Sequence, residues 1–180
     1  WGISVGSAGT SHHISNGTWD TALQLSHMDG LVALRNTQEF LFKTLNSGFC
    51  KELIPASLDY FETDHYIFVH GWIPCYVDLS RQGKRRYKFN PEWRHAKKKD
   101  WDSARWLNGM KLSELYHITE QDKQIVCGHW HTSYGHSNFE RNGSEFGENA
   151  VFTPFYGKNV IAIDACTAWS GFVNCLVLND

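Results

Sequence analysis

The chain has 180 residues, a length that suits one domain and allows a sizeable buried core. Apolar residues make up 42% of it, which excludes a disordered chain, and the net charge of −2 gives no general attraction to a polyanion. The sequence has no apolar run of about 18 residues and no signal-peptide pattern, so it predicts neither a membrane span nor export. Five scattered cysteines without a CxxC motif predict reduced thiols, most of them buried in strands, in a reducing, cytoplasmic compartment.

The first third of the chain is predicted to be helical. Residues 1–17 are rich in Gly, Ser and His and are typical of a loop. A short helix with Thr18 as its cap is predicted next. Apolar residues at helical spacing then predict a second helix over about residues 32–46, which Gly48 would end.

Strands are predicted from residue 57 onward. Two β-rich runs, residues 57–63 and 65–71, meet at Thr63-Asp64 and predict a hairpin. Three further strands are predicted, at residues 123–129, 159–166 and 172–178. Helices followed by strands place the chain in the α/β or α+β class.

Three polar residues fall at or near the carboxyl ends of these apolar runs, namely His70, His129 and Asp164. That edge of an α/β sheet is where ligands bind. His131 lies two residues after His129, so an extended backbone points both imidazoles to the same side. Three imidazoles can fill a catalytic zinc site or form part of a two-metal site, and the alternative is that each is a hydrogen-bonded structural histidine.

A polar, basic and aromatic stretch at about residues 78–111 predicts an insertion, with a helix over about residues 91–107. Within it, residues 81–99 carry nine Lys or Arg against one acid and include three aromatic residues. This pattern has three interpretations: a solvated insertion, a nucleic-acid-binding surface, or a cap that attracts an anionic substrate. Arg105 is the candidate phosphate contact, with Trp106 as its packing partner.

Three motifs in a fixed order carry a resemblance to a known family. FVHGWIP (68–74), VCGHWHT (126–132) and NVIAIDACTAWSGFVNCLVL (159–178) resemble the C-terminal half of a calcineurin-like metallophosphoesterase. The likeness is closest to the bacterial serine/threonine phosphatase and dinucleoside-tetraphosphatase branch. Asn16-Gly17, followed by TWDTALQL, is similar to the segment that follows the GNHE motif of that branch.

The resemblance implies a mixed β-sandwich flanked by helices that hydrolyses phosphate esters with a water between two divalent ions, Mn, Fe or Zn. By position, His70 and His129 resemble the late ligands of the second metal, and His131 resembles the final histidine ligand of the first. Asp164 matches an aspartate that holds loops behind the site, and the alternative is an ordinary strand-end cap. The implied substrate is a phosphoprotein or a nucleotide.

The sequence departs from the family at its start, because the earlier motifs DxH, GDxxDRG and GNHE are absent. Those motifs would supply the bridging aspartate, an asparagine ligand, a phosphate-binding arginine and the histidine that protonates the leaving group. We therefore expect residues 1–180 to be one incomplete domain, the C-terminal portion of a longer enzyme, and to be inactive or nearly so alone. Two alternatives remain: a nucleic-acid-binding module that uses residues 81–99, and a degenerate, non-catalytic scaffold.

Overall fold

A computed structural model describes residues 17–80 and 82–179, and the chain divides into two compact units, residues 1–58 and 59–180. The predicted loop at residues 1–17, including Asn16 of the resemblance, lies outside the described residues except for Gly17. The single incomplete domain expected over the whole chain stays a prediction.

The described part of the first unit is helical. Its elements are α1 (Thr18–Ser26), α2 (Gly30–Arg35), α3 (Thr37–Leu45), a π-helical turn (Phe49–Leu53) and α4 (Ile54–Ala56). A small core joins the first three helices, because Ala22, Ala33 and Phe40 are buried together. The ring of Trp19 packs on that of Phe40 with 5.1 Å between centroids.

Two predictions about these helices need correction. Gly17, with φ of 76°, is the residue before α1, so Thr18 is the first helical residue and not the cap. The helix predicted over residues 32–46 is two helices, because Asn36 leaves the helical conformation with φ of −123° and ψ of 56°. Asp29 begins the first of them, since its carboxylate accepts the N–H groups two and three residues on at 2.9 and 3.4 Å.

Seven strands lie in the described part of the second unit. They are β1 (Tyr60–Glu62), β2 (Tyr66–Val69), β3 (Tyr76–Leu79), β4 (Arg85–Lys88), β5 (Gln124–Cys127), β6 (Phe155–Tyr156) and β7 (Val160–Ala162). Five of them form a mixed sheet in the order β1-β2-β5-β7-β6, and β3 and β4 form a separate antiparallel pair. Strands β2, β5 and β7 run parallel to each other, whereas both edge strands are antiparallel to their neighbours.

Helices and turns connect these strands. They are a 3-10 turn (Trp93–His95), α5 (Lys98–Ala104), α6 (Gly109–Tyr116), α7 (Ser133–Gly135), a π-helical turn (His136–Glu140) and α8 (Thr167–Ser170). Helix α6 packs against β7. Ile67, Ile125 and Val160, one from each parallel strand, are fully buried between these layers. Burying each such side chain contributes roughly 1.5–3 kcal/mol.

The sheet confirms most of the strand predictions. The hairpin at Thr63-Asp64 is present as β1 and β2, and residues 123–129 and 159–166 contain β5 and β7. The predicted strand at residues 172–178 is wrong, because no strand pairs with it among the described residues, and Val177 is 90% exposed. High β-propensity makes a strand only where a neighbour completes the hydrogen-bond ladder.

The basic stretch at about residues 78–111 is more regular than predicted. It contains the β3–β4 hairpin, which the sequence interpretation missed, and the helix predicted over residues 91–107 is a 3-10 turn followed by α5. The coarse fold class is confirmed: the chain is mixed α/β, with a mixed sheet and helices. A sandwich of two mixed sheets stays a prediction.

All five cysteines are free thiols, and Cys127 alone among them lies buried within a strand, so the prediction that most are buried in strands is wrong. Burial raises the pKa of the Cys127 thiol to about 12, which keeps it protonated and unreactive at neutral pH. None of the helices in the described part of the chain is long and apolar enough to cross a membrane.

Candidate metal centre

Three parallel strands bring polar residues to one edge of the sheet. His70 follows β2 directly, His129 lies two residues after β5, and Asp164 lies two residues after β7. The Gly128 N–H donates to His70 O at 2.9 Å, which ties the ends of β2 and β5 together. Because β2, β5 and β7 are parallel neighbours, His70, His129 and Asp164 lie together at the carboxyl edge of the sheet.

His70 and His129 form a close pair. Their ring centroids are 5.1 Å apart and the ring planes are inclined by 49°. A tetrahedral zinc ion with Zn–N bonds of about 2.0–2.1 Å holds the centroids of two imidazole ligands about 5 Å apart, because each centroid lies about 1 Å beyond its ligating nitrogen. The separation in this structure matches two imidazoles that share one ion, and it is also an ordinary distance for two packed rings.

The backbone and the protonation state of His129 also suit a ligand. Its φ of 64° is left-handed, a strained conformation that concentrates at functional sites. Burial lowers the pKa of His129, the nearby His70 lowers it further, and the charge of Asp164 opposes both effects. A histidine must be neutral to bind a metal, so a lowered pKa favours ligation at neutral pH.

Asp164 is hydrogen-bonded to the loops behind this pair. Its carboxylate accepts the Cys166 N–H at 2.8 Å, and its backbone carbonyl accepts the Thr132 N–H at 2.9 Å. The first bond shapes the turn after β7, and the second ties that turn to the loop that carries His129. The carboxylate bond is the one that a strand-end cap makes, and the backbone bond would form with any residue, so a special loop-holding role for Asp164 stays a prediction.

His131 has a different set of neighbours. Its Nδ1 lies 2.7 Å from Ser133 Oγ, and that hydroxyl donates its one proton to Glu145 O at 2.8 Å. Nδ1 must therefore be the donor, which leaves the lone pair of the neutral ring on Nε2, 4.0 Å from the Glu145 carboxylate. The Phe146 ring packs on the same imidazole with 5.0 Å between centroids.

The structure thus pairs two of the three predicted ligands. Among residues 17–80 and 82–179, no group of three or more His, Cys, Asp and Glu side chains is placed to hold one ion. His131 has its Nε2 free for a metal by the tautomer argument, but its recorded partners are Ser133, Glu145 and aromatic rings. Its assignment to a first metal stays a prediction.

Arg105, the candidate phosphate contact, is already paired with carboxylates. Its guanidinium donates to Asp59, and to Asp102 at 2.9 Å. These acids compensate its charge, so phosphate binding by Arg105 stays a prediction that would require breaking an ion pair. The ring of Trp106 stands edge-on to that of His129 with 5.1 Å between centroids, and its packing on Arg105 stays a prediction.

The basic run at residues 81–99 is only partly available to a nucleic acid. Arg81 lies outside the described residues. Trp93 is fully buried and donates its indole N–H to Glu120 at 2.5 Å, so it cannot stack on a base. Arg94 is bound by two carboxylates, and nucleic-acid binding by this run stays a prediction.

A group of residues beside the histidine pair was not predicted from the sequence. The β3–β4 hairpin, the start of α6 and the side chains of Trp130 and Tyr134 surround a cleft that also includes Trp106. A signal for the hairpin was present, because Gly83 lies between the two strands and adopts φ of 72°, as a tight turn requires. A signal for α6 was Asn108, whose side chain accepts the Lys111 N–H at 3.0 Å as an N-cap.

Comparisons with protein-family models, with curated proteins and with solved structures found no match for the chain. Support for a function therefore comes from the geometry at the sheet edge and from the sequence motifs quoted above.

Proposed function

We propose that the chain contributes His70 and His129 to the metal centre of a phosphoesterase that depends on divalent cations. The observation that carries the proposal is the pair of imidazoles, 5.1 Å apart, at the carboxyl edge of three parallel strands. Residues at or just beyond the ends of paired strands are positioned more precisely than residues in a long loop. The resemblance of the surrounding motifs to metallophosphoesterases supports the same assignment.

The residues at this edge have separate tasks in the proposed site. His70 and His129 supply neutral nitrogen donors, which suit Mn, Fe and Zn better than Mg. Asp164 keeps the loop of His129 in place through its hydrogen bonds to Cys166 and Thr132. The bound divalent ions would supply an activated water and would offset negative charge on the phosphate. The remaining ligands come, in this proposal, from segments outside the described residues.

Hydrolysis of a phosphate monoester with Mn²⁺ tests the proposal. We expect the full-length product of the gene to hydrolyse p-nitrophenyl phosphate and His129→Ala to lower its kcat/KM by at least about 100-fold, because a metal ligand is removed. We expect the 180-residue chain alone to show little or no turnover, since at most three ligands are present in it.

His95→Ala is the matched control, because His95 is exposed and lies in the 3-10 turn after the β3–β4 hairpin, outside the histidine pair. The control should keep the parent rate. A His129→Ala enzyme with an unchanged, Mn²⁺-dependent rate would contradict the proposal.

A further inference from the structure

A cleft beside the histidine pair is walled by aromatic rings. It encloses about 710 Å³, within the usual size of a small-molecule site. The aromatic residues that line it are Tyr76, Tyr87, Trp106, Trp130 and Tyr134. We refer to this site as the aromatic cleft.

Trp106 belongs both to the aromatic cleft and to the histidine pair. Its ring stands 5.1 Å from that of His129, centroid to centroid, and 63% of the residue is exposed. Exposure of an indole to water is unfavourable. A flat ligand that stacks on the ring removes this apolar surface from water and so gains binding energy. A ligand in the cleft would therefore lie next to the proposed metal site.

The charges around the aromatic cleft favour an anion. Arg85 and Lys111 line it, and among the described residues neither forms an ion pair. Asp100 is the one carboxylate in the lining, so the cations are in excess. Electrostatic attraction of a negatively charged ligand follows from this imbalance.

We propose that the aromatic cleft binds the flat aromatic ring of a phosphorylated substrate, with Trp106 between that ring and the histidine pair. The inference rests on the proposed function, since it expects the phosphate to lie at His70 and His129. Two sources provide this chemistry: the base of a nucleotide and the side chain of phosphotyrosine. An aliphatic phosphate has the charge but not the ring, so the cleft discriminates against it.

Calorimetric titration of the 180-residue chain with three phosphates tests the inference. The probes are adenosine 5′-monophosphate, O-phosphotyrosine and glycerol 3-phosphate. We expect at least one aromatic phosphate to bind about tenfold more tightly than glycerol 3-phosphate, because stacking of its ring on an aromatic side chain adds binding energy of that size. The tighter of the two aromatic probes identifies the source of the ring.

Two matched pairs of variants locate the binding site. Trp106→Ala should abolish the preference for the aromatic probe, whereas Trp169→Ala, at a tryptophan that is 73% exposed and outside the cleft, should keep it. Arg85→Ala should weaken the binding of all three phosphates. Arg86→Ala, which removes the same charge from the neighbouring position outside the aromatic cleft, should not.

Equal affinities for the three probes, no binding at millimolar concentration, or a preference that survives Trp106→Ala would overturn the inference. The proposed metal site is tested separately by Zn²⁺ titration of the same chain. Loss of zinc binding with a retained aromatic preference would contradict the proposed function alone. Zinc binding that depends on His129 without an aromatic preference would contradict the inference alone.

Discussion

Gly71→Ala is expected to destabilise the second unit by about 3 kcal/mol, at the upper end of what overpacking costs. A Cβ atom at Gly71 would lie 2.4 Å from Arg105 O and 2.7 Å from Ala104 O. These are backbone atoms at the end of α5 and cannot rotate away. The adjacent Trp72 N–H donates to Ala104 O at 3.0 Å, so the substitution would also strain that bond and move the neighbouring His70.

Gly128→Ala provides the matched control, because Gly128 stands next to the other histidine of the pair. Its added Cβ would meet His70 O at 3.6 Å and Asp164 Cβ at 3.9 Å, which are ordinary contacts. We expect Gly128→Ala to change the free energy of unfolding by less than about 1 kcal/mol. Urea unfolding of both variants measures the difference, and equal destabilisation by Gly71→Ala and Gly128→Ala would show that the packing argument is wrong.

Glu62→Gln is expected to lower the free energy of unfolding by about 2 kcal/mol at pH 7, because Glu62 is the centre of an ion-pair network. Its carboxylate accepts from Arg94 at 2.5 Å and from Lys123 at 2.9 Å. Arg94 also pairs with Glu120 at 3.0 Å and lies 4.2 Å above the Trp93 ring. The side chains of Glu62 and Arg94 are 22% and 32% exposed, so solvent screens part of the attraction and limits the effect.

The contribution of Glu62 depends on pH in a defined direction. Hydrogen bonding to Arg94, followed by that to Lys123, lowers its pKa from 4.5 to about 2, although burial opposes the change. A carboxyl with a lowered pKa in the folded state stabilises the protein fully above its unfolded pKa. That stabilisation is lost as the pH falls from about 4.5 to about 2.

Urea unfolding of the parent and Glu62→Gln proteins at pH 7, 4.5, 3 and 2.5 measures this loss. The free-energy difference between the two proteins should shrink steadily below pH 4.5. Asp78→Asn is the control, since Asp78 pairs with Lys88 in an exposed ion pair worth less than about 1 kcal/mol. A difference that stays constant down to pH 2.5 would exclude the ion-pair network as its cause.

The position of the candidate site was predictable from local sequence patterns. His70, His129 and Asp164 each follow a short apolar run, and parallel pairing of those runs brings their ends to one edge. The roles of the flanking glycines were not predictable. Gly71 is required by contact with α5, and Gly128 has room for a side chain, which depends on tertiary packing that spacing does not reveal.

Other errors have equally physical causes. Residues 172–178 have high β-propensity but lack a neighbouring strand among the described residues, and propensity cannot report a missing partner. The hairpin in the basic run was not predicted from the sequence. Its strands are exposed on both faces, so their residues lack the alternation of apolar and polar side chains that marks a half-buried strand. The aromatic cleft joins residues from the hairpin, from helices α5, α6 and α7 and from the loop after β5, a proximity created only by the fold.

Zinc titration of the 180-residue chain by calorimetry tests the central claim most directly. If His70 and His129 share an ion, His70→Ala or His129→Ala alone should weaken Zn²⁺ binding by at least about tenfold. The double variant should cause little further loss of affinity, and His95→Ala should not change the affinity. Binding should also weaken in acid, where protons compete with the metal for the imidazole nitrogens. An affinity that neither His70→Ala nor His129→Ala changes would contradict the account of this sheet edge as a metal centre.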